Sequence, residues 1–172
     1  ALTEGARYTL QLTATDSEGS SSYASLALTT NEPPSSGLVV VTPAKGFPLD
    51  TPFSFVAMNW VDEDLPLRYL FGTVPVSNDG TIDMSASAQR PFGSLRSDAS
   101  VDGVTLSQGS NFTNYSVGCY VQVLDTYGAA GLAVGTTRVL PKQLSVGQLA
   151  NISAAKAQAA IESGNADAAL QI

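Results

Sequence analysis

Apolar and polar residues alternate from the start of the chain. Tyr8, Leu10, Leu12 and Ala14 are separated by Thr9, Gln11 and Thr13, the period-two pattern of a strand with one buried face. Asp16-Ser-Glu-Gly19 follows. An Asp that bonds backbone two residues on, and a Gly that tolerates positive φ, predict a turn there. Tyr23, Leu26 and Leu28, set among Ser, Ala and Thr, predict a second strand returning antiparallel. Two strands alone are marginal in water, so residues 1–30 read as the last two strands of a preceding immunoglobulin-like domain. Asn31-Glu-Pro-Pro-Ser-Ser-Gly37 is punctuation. Its prolines cannot donate to a ladder and stiffen the chain, so 31–37 is read as a Pro-containing linker.

Beyond the linker, short β-rich runs recur between turn signals. Residues 38–42 end at Pro43. Phe53, Phe55 and Ala57 alternate with Ser54, Val56 and Met58 and run into Trp60, and Leu67, Tyr69 and Phe71 alternate after Pro66. Phe92, Leu95 and the run 101–106 add two more strands. Val117, Cys119, Val121 and Val123 alternate before Asp125-Thr-Tyr-Gly128, and 132–140 closes the series. About seven strands at 8–12-residue spacing predict a complete sandwich over 38–140. The alternating run into Asp16-x-x-Gly19 recurs in the run into Asp125-x-x-Gly128, offset by about the 100 residues of one immunoglobulin-like domain. After Pro141 apolar spacings of three and four predict a helix over about 145–163. Ser163-Gly-Asn165 then breaks it before a short second helix. The expected fold is all-β: an immunoglobulin/fibronectin-like sandwich in tandem array, with a C-terminal α-helical extension (141–172) leading to a following region.

Composition narrows the chemistry. The chain has 172 residues, enough for one domain or one and a fraction. Only 13% are charged, against about 25% in an average globular protein. Eight Lys and Arg against fifteen Asp and Glu give −7. The basic residues are scattered singly, which argues against nucleic acid as a partner. Histidine is absent, and with it the commonest general base and metal ligand. The single cysteine excludes an internal disulfide and a cysteine-based zinc site. No stretch approaches 18 consecutive apolar residues, so no bilayer span is expected, and no charged segment followed by an apolar run opens the chain. The expectation is a protein that is not an enzyme and carries no catalytic cofactor.

The order of motifs resembles a known family. Asn31-Glu-Pro-Pro, then a strand and Pro43, then Phe53-x-Phe-x-Ala-x-Asn-Trp60-Val-Asp62-x-Asp64-x-Pro66-Leu-x-Tyr69 is similar to the receptor-for-egg-jelly (REJ) module of polycystin-like ectodomains. The strand running into Asp125-x-x-Gly128 and the small-residue tail with Gly164-Asn-Ala-Asp167 resemble its closing elements. The resemblance covers residues 1 to about 170. One departure concerns a disulfide usual in the family, from after the linker to just before the tryptophan. Here those neighbourhoods hold 38–41 and 56–58, without cysteine, and packing of a buried Val and Met is expected to replace it. The resemblance implies a non-enzymatic structural and adhesive segment on the extracellular side of a cell or ciliary membrane. Implied partners are neighbouring domains of the same chain, other extracellular or ciliary-surface proteins, a polycystin-type channel and N-linked glycans. Such ectodomains are associated with cilia or flagella, assembly, adhesion and mechanosensory coupling.

Individual residues carry competing readings. Three sequons occur, at Asn111, Asn114 and Asn151, each an N-glycosylation acceptor if exposed in a secreted chain. Asn111 is preferred, because Asn114 lies nearer a strand and Asn151 lies on the expected helix. Asp62-Glu63-Asp64 and the run from Asn78 to Asp83 offer hard oxygens to structural calcium. Turn chemistry accounts for the second run equally well. Asp16 and Asp125 are expected to bond turn backbone rather than an ion. Trp60 is expected in the sandwich core with Phe53, Phe55 and Tyr69, and Cys119 as a small buried hydrophobe. The alternative function is a secreted carbohydrate-binding β-sandwich module, which needs Trp60 or one of Tyr115, Tyr120 and Tyr127 exposed on a flat face. A third reading, a sandwich hydrolase, needs two acids about 5–10 Å apart in one cleft. The helical tail is expected to pack within the parent protein, since so uncharged a helix does not stand alone in water.

Overall fold

The computed structural model describes residues 2–142 and 146–163. The expected short second helix lies outside them. The alternating N-terminal segment forms strands β1 (Arg7–Thr15) and β2 (Ser21–Thr29), paired antiparallel with Leu10 opposite Leu26 and Tyr8 opposite Leu28. Because directly paired residues share a face, Tyr8, Leu10, Leu12, Leu26 and Leu28 make one apolar surface. Leu12 is 76% exposed on it, so the described residues leave this surface largely uncovered.

Eight further strands build the sandwich: β3 (Leu38–Thr42), β4 (Lys45–Gly46), β5 (Phe53–Met58), β6 (Arg68–Val74), β7 (Arg90–Pro91), β8 (Ser100–Val104), β9 (Ser116–Leu124) and β10 (Ala130–Val139). One sheet runs β4-β10-β9-β6-β7 and the other β3-β5-β8. Alternation decides what each strand buries. Phe53 and Phe55 of β5 meet Cys119, Val121 and Val123 of β9, all 0% exposed. Phe55 packs edge-on against Phe71 and Phe92, with ring centroids 6.4 and 5.1 Å apart, the geometry their quadrupoles favour. Tyr69 stacks on Phe71 and packs against this core. Each buried Phe contributes roughly 1.5–3 kcal/mol over leaving it in water.

No strand forms at the expected residues 92–95; the two-residue β7 ends just before them. Phe92 donates one backbone bond to Phe71 O, and Arg96 bridges Tyr69. Pro91 removes a donor there and Gly93 adopts φ +103°, both of which end a strand. The two neighbourhoods where the resemblance implies cysteines lie side by side in β3 and β5, with Leu38 opposite Met58 and Val39 opposite Ala57. Val39 is buried, as expected, but Met58 is 45% exposed, because it sits on the outer face of the pleat. The buried pair is therefore Val39 and Ala57. After β10, helix α1 (Val146–Ser163) forms within the range its apolar spacing predicts. No helix among the described residues is long and apolar enough to cross a membrane.

Candidate functional site

The linker does not swing free between hairpin and sandwich. Ser35 and Val61 exchange backbone bonds at 3.0 and 3.1 Å, laying the linker along the segment that follows β5. Close approach is made possible by two glycines. A Cβ at Gly37 would overlap the Trp60 ring, and one at Gly131 would overlap Pro34 O and press on the same ring. Trp60 is thus half-buried between linker and β10 rather than central in the core, where it packs only at the margin.

Three separate segments converge beside this seam. The β9–β10 turn supplies Asp125, which is 0% exposed. Its Oδ1 accepts the N–H groups of Tyr127, Gly128 and Ala129 at 2.8, 2.6 and 3.0 Å, so it binds turn backbone as the sequence suggests. Its Oδ2 accepts Asn31 Nδ2 of the linker at 2.5 Å. The β5–β6 loop supplies Asp62 and Asp64. Asp62 Oδ1 accepts Asp64 N–H at 2.6 Å, and Asp64 O accepts Thr126 N–H at 3.2 Å. Carboxylate oxygens of Asp62, Asp64 and Asp125 all lie within 4.8 Å of one another. Asp62 and Asp64 border a cleft of about 800 Å³ whose lining includes Asn31, Glu32, Glu63 and Tyr127.

The electrostatics separate two of these acids. Burial raises the Asp64 carboxyl above its ordinary value, and the charges of Asp62, Asp125 and Glu63 raise it further. Burial pushes Asp125 the same way, but the bonds from Asn31, Ala129, Gly128 and Tyr127 outweigh it and hold its carboxyl below the ordinary range. The charged form is favoured wherever donors surround it. Asn31 Oδ1, by contrast, is a buried oxygen with no hydrogen-bond partner among the described residues.

The remaining candidates separate cleanly. Asp16 repeats the Asp125 turn: its Oδ1 accepts Glu18 and Ser20 N–H, both at 2.9 Å, yet it stands in the exposed hairpin turn. Asp79 and Asp83 bond Thr81 and Ser85 within their own turns, and the described residues bring no third acid to them. Asn111 is exposed in a single 3-10 turn capped by Ser110. Asn114, in left-handed backbone, has its Oδ1 held by Arg138 Nη2 at 2.6 Å, and Asn151 is exposed on α1. Cys119 is sealed and its thiol is pushed up to about 12 by burial. Of the tyrosines weighed for sugar stacking, Tyr120 is buried, Tyr115 half-buried and Tyr127 75% exposed.

Sequence reasoning separates Asp62-Glu63-Asp64 from Asp125 and treats Asn31 as linker punctuation. Only the fold brings them together. The local Asp-x-x-Gly pattern announces the Asp125 turn but carries no sign that Asn31 bonds to it.

Among curated proteins none matches this sequence. Among solved structures, CopC from Methylosinus trichosporium OB3b is similar at 14% identity and a TM-score of 0.29, covering 63% of this chain and 98% of that one. A family model described as the REJ domain matches residues 1–172. The chain belongs to the REJ family, an extracellular module of polycystin-like proteins.

Proposed function

We propose that this chain is a non-enzymatic structural and adhesive segment of a large polycystin-like ectodomain, carried on the extracellular side of a cell, ciliary or flagellar membrane. Its work is geometric: it fixes one β-unit on the next so that an array passes position or force along its length. The observation that carries this reading is the bond from Asn31 in the linker to buried Asp125 in the last hairpin turn of the sandwich. A linker tied to the next domain transmits load, whereas a free one absorbs it.

The uncovered apolar face of β1–β2 supports the tandem part of the reading, since it suits half of a domain core. So does the shared bonding pattern of the Asp16 and Asp125 turns. On this reading the partners are adjoining domains of the same chain and other extracellular or ciliary-surface proteins, a polycystin-type channel among them. Asn111 carries an N-linked glycan, because it is exposed and its sequon lies in a loop. Catalysis by the acid cluster is disfavoured, because Asp125 is sealed from any substrate and its Oδ1 is filled by three N–H donors.

The test is antibody staining of intact, unpermeabilised cells of the source organism, with a denaturing gel before and after N-glycosidase. Surface staining, and a band far larger than 17.7 kDa that shifts on treatment, are expected. Staining only after permeabilisation, with an unshifted band near 17.7 kDa, overturns the proposal.

A further inference from the structure

We propose that a second cleft, at the far end of the sandwich from the linker, binds a sugar acid: a pyranose ring bearing one carboxylate, recognised by Arg90. The cleft lies apart from the linker junction, and its ligand can be measured whichever way the junction reading falls.

The cleft opens between the end of β6, the β7 segment with Phe92, the run that follows β8, and the start of β9. It therefore sits at the opposite end of β9 from Asp125 and the linker. Its volume of about 640 Å³ falls within the roughly 300–1,000 Å³ usual for small-molecule sites. The apolar part of the wall is firm: Val74, Phe92 and Leu106 line it and each is at most 8% exposed. Beside them stand Thr73, Ser107, Gln108 and Ser116, whose side chains have no hydrogen-bond partner among the described residues. An apolar wall with a few convergent polar groups is the usual make-up of a ligand site.

Charge selects the ligand. The chain carries fifteen acids and a net charge of −7, yet no described Asp or Glu lines this cleft, and its one charged lining residue is Arg90. Arg90 Nη1 donates to Ser87 O at 2.8 Å and to Gln89 O at 3.1 Å. Those bonds hold the guanidinium in place, so less side-chain freedom is lost on binding. Its Nε and Nη2 have no partner among the described residues, and together they form an edge that can meet both oxygens of a carboxylate. One cation balances one negative charge, which fits a carboxylate better than a doubly charged phosphate. The mixed lining then calls for an amphipathic body. A pyranose ring is such a body, with C–H bonds making an apolar face and hydroxyls around its edge. An acyl chain would instead strand the hydroxyl and amide groups against hydrocarbon.

The experiment is ¹⁵N NMR titration of the 172-residue chain with glucuronate and with N-acetylneuraminate, each beside its uncharged form (glucuronamide and the neuraminate methyl ester). It is repeated on Arg90→Gln, Arg90→Lys and, as a distant control, Arg68→Gln, once circular dichroism has established that each is folded. At least one acid is expected to give saturable shifts in 73–76, 88–92 and 105–117. The expected Kd is on the order of 1 mM, as an ordinary ligand efficiency gives for so small a molecule. Glucuronate alone identifies a uronic polysaccharide as the source, N-acetylneuraminate alone a sialylated glycan, and both together the carboxylate as the shared determinant. The uncharged forms, and Arg90→Gln, each weaken binding about tenfold or more, the cost of losing a charged hydrogen bond. Arg90→Lys keeps the charge but loses the fork; it binds more weakly than wild type and decides the matter should Arg90→Gln not fold. Arg68→Gln binds as wild type does. No saturable shift with either acid, equal binding of the uncharged forms, unchanged affinity in the Arg90 variants, an equal loss in Arg68→Gln, or shifts centred on the linker junction each overturn the proposal.

Discussion

Asn31 donates to Asp125 across 94 residues of sequence, and this one bond joins the exit of the N-terminal hairpin to the last turn of the sandwich. Its two ends are not equivalent. Asn31 makes one bond to the sandwich carboxylate, whereas Asp125 also closes its own turn through three N–H groups. Removing an acceptor that serves several buried donors costs more than removing one donor. Asp125→Ala is therefore expected to lower Tm more than Asn31→Ala does. The double variant should match Asp125→Ala alone, because the shared bond can be lost only once. Thermal unfolding of the three variants checks the order. Additive losses would show that Asn31 stabilises the fold by some other route.

Trp60 and Gly37 set the closeness of the linker. A Cβ on Gly37 overlaps the indole ring, and a ring wedged between backbone segments has little room to yield. Gly37→Ala is expected to cost about 1–3 kcal/mol, the usual penalty of forcing an extra methyl into a packed site. Gly147 provides the contrast. It lies in α1 with open space where a Cβ would go, so Gly147→Ala should stabilise that helix by roughly 0.5–1 kcal/mol. Urea unfolding of both variants measures the two signs.

Cys119 is 0% exposed and its thiol is pushed up to about 12 by burial. The thiolate is the reactive form, so both access and ionisation protect it. Native protein should resist alkylation by iodoacetamide at pH 8 and react once unfolded in urea. Mass spectrometry after timed quenching reads the difference. Rapid labelling of the native chain would mean that β9 opens locally without global unfolding.

The strands were legible because period-two alternation is a local signal. Phe53, Phe55, Cys119 and Val121 face inward, as their spacing requires. Short pairings were less visible: β4 is two residues long and is defined only by its parallel register with Arg138 and Val139. The Met58 position misled for a simple reason. Hydrophobicity suggests burial, but parity along β5 places Met58 opposite in face to Phe53, Phe55 and Ala57. The junction was the least legible part. Asp62, Asp125 and Asn31 each have an adequate local role as turn or linker residues, and nothing in the linear order shows that three chain segments share one pole. Only the antiparallel return of β9 and β10 brings them together.

Asp64 and Asp125 are displaced in opposite directions from the same ordinary carboxyl value of 3.8, which gives the junction two acid steps. Asp64 is raised by burial and by Asp62, Asp125 and Glu63, so ionising it opposes folding. Protonation as pH falls through its raised value relieves that opposition. Asp125 is lowered despite its burial, because Asn31 and three backbone N–H groups favour the carboxylate. Its contribution is fully present above 3.8 and is lost as pH falls through its lower folded value. At neutral pH, Asp64→Asn should thus be more stable than wild type. That advantage should fade as pH falls past the Asp64 value, while the linker stays bonded until Asp125 protonates at lower pH. Tm measured from pH 7 down through the acid range for both proteins checks the order. An Asp64→Asn advantage that persists to the lowest pH would show that charge repulsion is not its source.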